Sequence, residues 1–155
     1  MPGLKYFEDY QIGEEQVSEN RIVSEIDCYF MTAICRATHP VHEDPEYCAK
    51  IPGIGRPIVG GTMVLALADA FMGKSVVPTE VSSMHYGYEK VRFVKPVFIG
   101  DRIHCESKVI NKRIKNAENG IVTWAINIKN QNGEVVIYLE DMQYIGRKPG
   151  EKEED

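Results

Sequence analysis

Apolar and polar residues alternate in four segments of the second half of the chain, which is the pattern of half-buried β-strands. The segments are YEKVRFVKPVF (88–98), DRIHCESKVINKRI (101–114), GIVTWAINIKNQ (120–131) and EVVIYLEDMQYIG (134–146). In the third segment Val122, Trp124, Ile126 and Ile128 fall on one face. The Asn132-Gly133 pair that follows is typical of a hairpin turn. Together these patterns predict an antiparallel sheet with one face on the core.

Two segments before the strands carry helix-start signals. Ser24 and Asp27 stand at the spacing of a capping box, with Asp in place of the usual Glu. Asp44 followed by Pro45 is typical of an N-cap with proline at the first helical position, and predicts a short helix to about Ala49. After Ser24, apolar residues recur at helical spacing and form one stripe: Ile26, Tyr29, Phe30, Ala33, Ile34 and Ala37.

The segment TMVLALADAFMG, residues 62–73, predicts the main central helix. Thr62 is a candidate N-cap and Gly73 a candidate C-terminal stop. Asp69 is the only charged residue between them, and a helix that is apolar nearly all round is a buried helix. The predicted strands must therefore wrap it, because no other segment is long enough to do so.

The predicted fold class is α+β, with a single hotdog domain over residues 1–146. In this arrangement a curved antiparallel sheet of about five strands wraps the long buried helix. Residues 147–155 are polar, charged and interrupted by a proline, and are predicted to form a flexible tail.

Composition narrows the classes of function. The chain has 155 residues and a net charge of −5, whereas nucleic-acid-binding proteins usually carry a basic excess. No apolar run approaches the roughly 18 residues of a membrane span, and the N-terminus lacks the pattern of a signal peptide. We therefore expect no nucleic-acid partner, no membrane and a cytoplasmic location.

The four cysteines form no C-x-x-C pair, which argues against a zinc site. Without an export signal they are expected to be reduced thiols. Cys35 lies near the loop described next, and is interpreted as a buried structural thiol rather than a nucleophile.

The loop THPVHE places His39 and His42 three residues apart beside the end of the first predicted helix. Histidine titrates near neutral pH, so the pair is a candidate for general acid–base work. A metal site would need further ligands, and Glu43 and Asp44 stand at no recognised spacing. The other interpretation is that both histidines are partly exposed loop residues.

The VGGT segment, residues 59–62, places two glycines directly before the central helix. The first amide groups of a helix have no internal partners and lie at the positive end of the helix dipole. Gly60, Gly61 and Thr62 are therefore candidates for holding the carbonyl oxygen of a thioester. Alternatively, the glycines only relieve crowding where the loop meets the core.

Five ordered segments resemble the MaoC-like acyl dehydratases, which are related to the (R)-specific enoyl-CoA hydratases. The resemblance covers about residues 5–146. The segments are YFEDYQIG (6–13), RIVSEIDCYF (21–30), THPVHEDPEY (38–47), RPIVGGTMVLALADAFMG (56–73) and VRFVKPVFIGDRI (91–103). The last one includes a strand–turn–strand with Gly100-Asp101 at the turn.

The resemblance implies roles for the loop, which in this family reads G-D-x-(N/H)-P-x-H-x-D. The catalytic His position falls on His42, the Asn/His position on His39 and the second acid on Asp44. The catalytic Asp position falls on Ala37, which cannot transfer a proton. One general acid or base contributes about 10²–10⁴-fold to a rate. His39, Glu43 or an acid from elsewhere would have to substitute.

The resemblance further implies a homodimer or higher homo-oligomer and an acyl-CoA or acyl-carrier-protein thioester as substrate. We expect no cofactor and, from the residue spacing, no metal. Lys90, Arg92 and Lys95 are either contacts for the phosphates of such a substrate or solvated charges. Three functions stay open. They are an enoyl-CoA hydratase or 3-hydroxyacyl thioester dehydratase, an acyl-CoA-binding subunit that works with a catalytic partner, and a hotdog acyl-CoA thioesterase.

Overall fold

The computed structural model describes residues 4–150. Two short 3-10 helices, Phe7–Asp9 and Pro40–His42, accompany the regular elements. The elements in chain order are β1 (Glu15–Val17), β2 (Arg21–Ile22), α1 (Glu25–Cys35), α2 (Pro45–Ala49), α3 (Gly61–Ser75), β3 (Ser83–Phe93), β4 (Arg102–Ile114), β5 (Asn119–Lys129) and β6 (Val135–Gly146).

Within residues 4–150 the strands form one curved antiparallel sheet of six strands, in the order β1-β4-β5-β6-β3, with β2 also paired to β4. The prediction of an α+β fold is confirmed, and the count of about five strands is one short. The difference arises because β1 and β2 have three and two residues, too few to show alternation. β3 also begins at Ser83, before the predicted start at Tyr88.

The central helix α3 packs on the sheet as predicted, but it is not buried all round, since Ala66, Asp69 and Ala70 are exposed in the single chain. One face of α3 is buried, and so is the predicted face of β5. Tyr10 closes one side of this core, because its ring meets Trp124 edge-on at 5.5 Å and its hydroxyl donates to the Val76 carbonyl at 3.1 Å. The buried residues of α3 are Met63, Val64, Leu67, Ala68, Phe71 and Met72.

The ends of α3 differ from the prediction. Gly60, not Thr62, is the N-cap, because the Gly60 carbonyl accepts the first helical bonds from Met63 (2.9 Å) and Val64 (3.2 Å). Gly73 does not end the helix, which continues to Ser75. Gly73 has no positive φ, so it never takes the left-handed conformation of a terminating glycine.

A substitution at Gly73 tests this correction. Gly73→Ala is expected to raise the free energy of unfolding by about 0.5–1 kcal/mol, because an alanine loses less chain entropy inside a helix. An added Cβ there has no atom within 4 Å. The measurement is urea unfolding. Gly120→Ala is the contrasting variant. Its Cβ would lie 2.1 Å from the buried Phe7 ring, so it should cost about 1–3 kcal/mol. A loss of stability in Gly73→Ala would contradict the assignment.

Helix α1 starts as predicted and faces the opposite way from what its stripe suggested. Ser24 accepts from the Asp27 amide at 3.2 Å, which confirms the capping box. The stripe itself does not reach the core of this chain, since Ile26, Tyr29, Phe30 and Ile34 are all more than half exposed. Cys28 and Met31, on the other side of α1, pack against the core instead. The stripe is therefore uncovered in the single chain.

The start of the predicted tail contacts the N-terminal segment. Arg147 and the Lys148 amide both bind the Glu8 carboxylate at 3.0 Å, and the Lys148 ammonium lies 2.6 Å from Asp9. Residues 151–155 of that tail lie outside the described residues. Among residues 4–150, none of the helices has the length and apolar character needed to cross a bilayer.

Candidate active site

The loop between α1 and α2 fixes the His42 ring in one orientation. The His42 Nδ1 lies 2.9 Å from the Ile58 carbonyl oxygen. Because a carbonyl only accepts hydrogen bonds, Nδ1 carries the proton, and Nε2 is the acceptor nitrogen of the neutral ring. His39 caps the short turn that positions His42, since its Nδ1 accepts from the Val41 amide at 3.2 Å. Geometrically, His42 can serve as a base through Nε2.

A cleft of about 540 Å³ brings most of the predicted site residues together. His42, Ala37 and the three residues Gly60, Gly61 and Thr62 all line it. His39 does not line it. The His39 ring stands behind His42, with centroids 6.4 Å apart, and against Tyr47. The geometry thus separates the two histidines, because His42 faces the cleft and His39 supports the loop.

The N-terminus of α3 presents amide groups to this cleft. The Met63 amide makes the first helical bond, so the amides of Gly61 and Thr62 precede the first intrahelical donor. An added Cβ at Gly61 would lie 2.8 Å from the Phe93 ring, whereas one at Gly60 would meet nothing within 4 Å. Crowding therefore accounts for the glycine at 61 and not for the one at 60.

A second, smaller cavity of about 40 Å³ adjoins the first on the α1 side. Ala37 and His42 line both cavities. Among the described residues, neither cavity is lined by an aspartate or a glutamate. Glu43 is exposed, and Asp44 caps α2 by accepting from the Glu46 (2.8 Å) and Tyr47 (3.1 Å) amides, as predicted. Within the described residues, the cavity walls therefore supply no carboxylate beside His42.

The candidate phosphate contacts are engaged within the chain. The Lys90 ammonium donates to Glu140 at 2.8 Å, and Arg92 donates to the Val91 carbonyl at 2.7 Å. Lys95 is the one of the three that lines the large cleft, and it is paired with Glu134. Hydrogen bonds from Asn130 and Lys95 lower the pKa of the Glu134 carboxyl to about 2, so this carboxyl is ionised at neutral pH. Its negative charge offsets the charge of the Lys95 ammonium.

Several wall residues were not anticipated from the sequence. Phe93, Val94, Pro96 and Val97 line the large cleft. Helix α1 contributes a second group, because its inward side lines the small cavity with Cys28, Met31, Thr32 and Cys35. The prediction that Cys35 is buried is wrong, since it is exposed at the end of α1. All four cysteines are free thiols.

A buried carboxylate was also missed. Asp141 has no exposed surface and accepts from Gln143 at 3.0 Å, and its oxygen lies 3.6 Å from the His85 Nε2. The His85 Nδ1 lies 3.1 Å from Asp69 on α3, and the Tyr88 ring stacks edge-on against His85. Burial raises the pKa of Asp141 to about 6. Its place in the sequence could have revealed its burial, because Asp141 lies on the apolar face of β6, in phase with Ile137, Leu139 and Ile145.

This carboxylate gives a testable pH dependence of stability. Because the folded-state pKa is raised above the usual 3.8, the folded protein binds the proton more tightly than the unfolded chain. The contribution of Asp141 therefore favours folding below about pH 4, and is lost as pH rises through about 6. Asp141→Asn should remove this dependence, which is of the order of 1–3 kcal/mol.

The measurement is urea unfolding of both proteins between pH 4 and pH 7, read as the difference between them. The difference is needed because lowered carboxyl pKa values elsewhere, such as those of Asp27 and Glu106, make stability fall as the solution is acidified. A difference that stays constant across this range would contradict the role given to Asp141.

Metal ligation has no support in the described part of the chain. Residues 4–150 contain no group of three or more histidine, cysteine, aspartate or glutamate side chains that could hold an ion. The chemistry available at the cleft is instead that of one imidazole and a helix N-terminus.

The fold and the cleft define the class of protein. It is an α+β domain in which the central helix α3 begins at a cleft that is also lined by His42. The chain belongs to the MaoC-like family, since the family model of the MaoC like domain matches residues 10–129. This result confirms the resemblance that the five sequence segments carried.

Similar proteins agree with this assignment. The chain is 32% identical over 136 residues to a mesaconyl-CoA hydratase of Cereibacter sphaeroides, which covers 86% of this chain and 38% of the relative. Thus the chain spans well under half the length of that relative. Among solved structures, a monoamine oxidase regulatory protein from Archaeoglobus fulgidus superposes with a TM-score of 0.87 at 32% identity, covering 96% of this chain and 98% of the other.

The predicted hotdog fold is also confirmed. A conserved hypothetical protein from Mycobacterium tuberculosis, described as having a double hotdog fold, superposes with a TM-score of 0.83. The match covers 96% of this chain and 46% of the other, at 16% identity, so it shows the fold alone.

Proposed function

We propose that this chain is a hydro-lyase, which adds water to a 2-enoyl thioester or removes it from a 3-hydroxyacyl thioester. The observation that carries the proposal is that His42 and the N-terminus of α3 line one cleft. Membership of the MaoC-like family and similarity to a mesaconyl-CoA hydratase support a thioester of CoA, or of acyl carrier protein, as the substrate.

The helix N-terminus supplies the electrophilic half of the reaction. A thioester carbonyl placed against the Gly61 and Thr62 amides accepts their hydrogen bonds at the positive end of the helix dipole. This polarises the conjugated double bond and stabilises the enolate that forms when oxygen adds to C3. Gly60 keeps the approach open, because no side chain stands there.

His42 supplies the proton transfer. Its Nε2 takes a proton from water as the water oxygen bonds to C3, and the electrons of the double bond move onto the carbonyl oxygen. The imidazolium then returns that proton to C2 and the enolate collapses, so the atoms of one water molecule have been added. The same imidazole accepts the proton and then returns it, so the reaction needs no second acid–base group. This agrees with a cleft in which no described carboxylate lines the walls. No cofactor is needed for either transfer.

The test is the absorbance of the enoyl thioester during incubation of the purified protein with crotonyl-CoA. A fall in absorbance with recovery of 3-hydroxybutyryl-CoA supports hydration. No turnover with crotonyl-CoA or with longer and branched 2-enoyl-CoA thioesters would overturn the proposal.

One observation favours a second candidate, a non-catalytic acyl-CoA-binding subunit. It is that no carboxylate of the described residues lines either cavity, whereas the resemblance implies an aspartate beside the histidine. Thermal stabilisation by acyl-CoA without turnover would support this candidate. Efficient hydration by the chain alone would exclude it.

Thioester hydrolysis is the third candidate, and the geometry gives it less support. Asp69, the carboxylate on α3, does not line the cleft and is engaged by His85. Release of free CoA thiol from acyl-CoA, measured in the same incubation, separates this reaction from hydration.

Gly60 offers a test of carbonyl binding that leaves the fold intact. Gly60→Val is expected to raise the KM for crotonyl-CoA tenfold or more, because the side chain fills the approach to the helix amides. The Gly60 backbone has φ −58° and ψ 131°, which any residue adopts, so the unfolding free energy should fall only because valine is a poorer N-cap than glycine, by about 1 kcal/mol. Gly73→Ala, near the other end of the helix, is the control and should keep the wild-type KM. An unchanged KM in Gly60→Val would argue against this binding mode.

Two surfaces support a homodimer or higher homo-oligomer as the working form. β3 lies at the end of the strand order, so one side of its backbone has no partner within the described chain. The apolar stripe on α1 is exposed as well. Light scattering is expected to give at least twice the chain mass of 17.5 kDa. A stable monomer at micromolar concentration would count against it. The cytoplasmic location stays a prediction. A role in fatty acid metabolism is part of the proposal, because acyl thioesters are its substrates.

A further inference from the structure

The two cavities of the site differ in their walls and meet at the reacting centre. Both are lined by Ala37, His42, Ile58, Val59, Gly60 and Thr62. A thioester carbonyl at the α3 N-terminus would therefore have one cavity on each side. The large one measures about 540 Å³ and the small one about 40 Å³.

The walls decide which part of an acyl-CoA fits each side. The large cavity includes Phe93 and Val94, which are 56% and 54% exposed, so its rim reaches solvent. The small cavity lies between α1 and α3, where Met31 packs on the core and Met63 is 4% exposed. The pantetheine arm must continue into solvent, because it carries a highly charged nucleotide. The acyl end has no such requirement.

We propose that the small cavity is the acyl pocket and that Met31 sets its depth, so that the chain selects short, uncharged acyl groups. This inference rests on the proposed function. The small cavity's space of about 40 Å³ is less than a tenth of the 540 Å³ of the large cavity. It holds the terminal methyl of a four-carbon acyl group, and longer chains require displacement of the Met31 side chain.

Charge leads to the same selection. Apart from His42, the small cavity is lined by uncharged residues. Lys95 lies on the other cavity and is paired with Glu134. A carboxylate on the acyl group would lose its hydration in the small cavity without gaining a cationic partner other than the catalytic ring. A dicarboxylic acyl group such as mesaconyl is therefore disfavoured.

The experiment compares kcat/KM for hydration of crotonyl-, 2-hexenoyl-, 2-octenoyl- and mesaconyl-CoA by the full chain. We expect kcat/KM to be at least tenfold lower for 2-octenoyl-CoA than for crotonyl-CoA. We expect it to be at least tenfold lower for mesaconyl-CoA as well. Met31→Ala should bring the four-carbon and eight-carbon substrates within threefold of each other. Met84→Ala makes the same chemical change at a residue that is 65% exposed and lines neither cavity, so it should keep the wild-type ratio.

Binding of saturated thioesters, which cannot be hydrated, separates this inference from the proposed function. The protein should bind butyryl-CoA at least tenfold more tightly than octanoyl-CoA. If it binds with that preference and hydrates nothing, the proposed function fails and the acyl pocket stands. If it hydrates without a chain-length preference, or if Met31→Ala folds and leaves the ratio unchanged, the acyl pocket is overturned.

Discussion

Ala37→Asp is expected to raise the hydration rate of crotonyl-CoA about 10²–10⁴-fold, the range that one general acid or base contributes. Ala37 lines both cavities together with His42, and no aspartate or glutamate lines either of them in the described chain. An aspartate there would face the same space as the imidazole. It could then hold and activate the water while His42 handles the other proton.

Two control variants separate this effect from a change of charge or size. Ala37→Asn has nearly the same shape as aspartate and cannot take a proton, so it should stay near the wild-type rate. Ala117→Asp adds the same charge at an exposed position between β4 and β5, outside both cavities, and should also stay near it. The measured quantity is kcat for crotonyl-CoA hydration.

The outcomes also discriminate between the proposed functions. Turnover by Ala37→Asp and none by the wild type would assign the natural chain to acyl-CoA binding with a site that is otherwise intact. A folded Ala37→Asp that is no faster than the wild type would show that position 37 does not reach the reacting atoms.

His42→Ala is expected to lower kcat for hydration about 10²–10⁴-fold, because among the described residues the cavity walls hold no second imidazole and no carboxylate that could replace the ring. His39→Ala is the matched control. Its ring caps the turn and lines neither cavity, so we expect a loss below tenfold. The comparison uses kcat and KM for crotonyl-CoA, with circular dichroism to confirm that both variants fold.

Equal losses in the two variants would contradict the separation of roles in the loop, since they would indicate a shared structural effect. Full activity in His42→Ala would remove His42 from the mechanism altogether. The comparison therefore tests the two histidines separately, and it does not require the natural substrate.

Local interactions made several elements predictable from the sequence. The Ser24–Asp27 box and the Asp44 cap depend on residues within three positions of each other, and both form as expected. The alternation in β4, β5 and β6 likewise identified strands whose alternate residues are buried in one core. Short-range hydrogen bonds and a period of two determine these features, so no knowledge of neighbouring segments was needed.

The errors have a common physical cause. Thr62 looks like a cap by residue type, but the N-cap lies two residues earlier, because the Gly60 carbonyl is already in position to accept. The stripe on α1 has a correct helical period, yet it faces away from the core of this chain. Periodicity shows that a face is apolar, and it does not show which surface will cover that face.

The sequence by itself predicted the family, the α+β hotdog class and His42 as the candidate base, and the resemblance implied that Ala37 takes the place of a catalytic aspartate. Only the tertiary structure decided that His42 and the α3 N-terminus share a cleft, that His39 lies outside it and that none of the carboxylates in residues 4–150 lines its walls. The reason is that a cavity is formed by α1, α3 and the segment after β3, which are distant in sequence and meet only when the sheet wraps the helix.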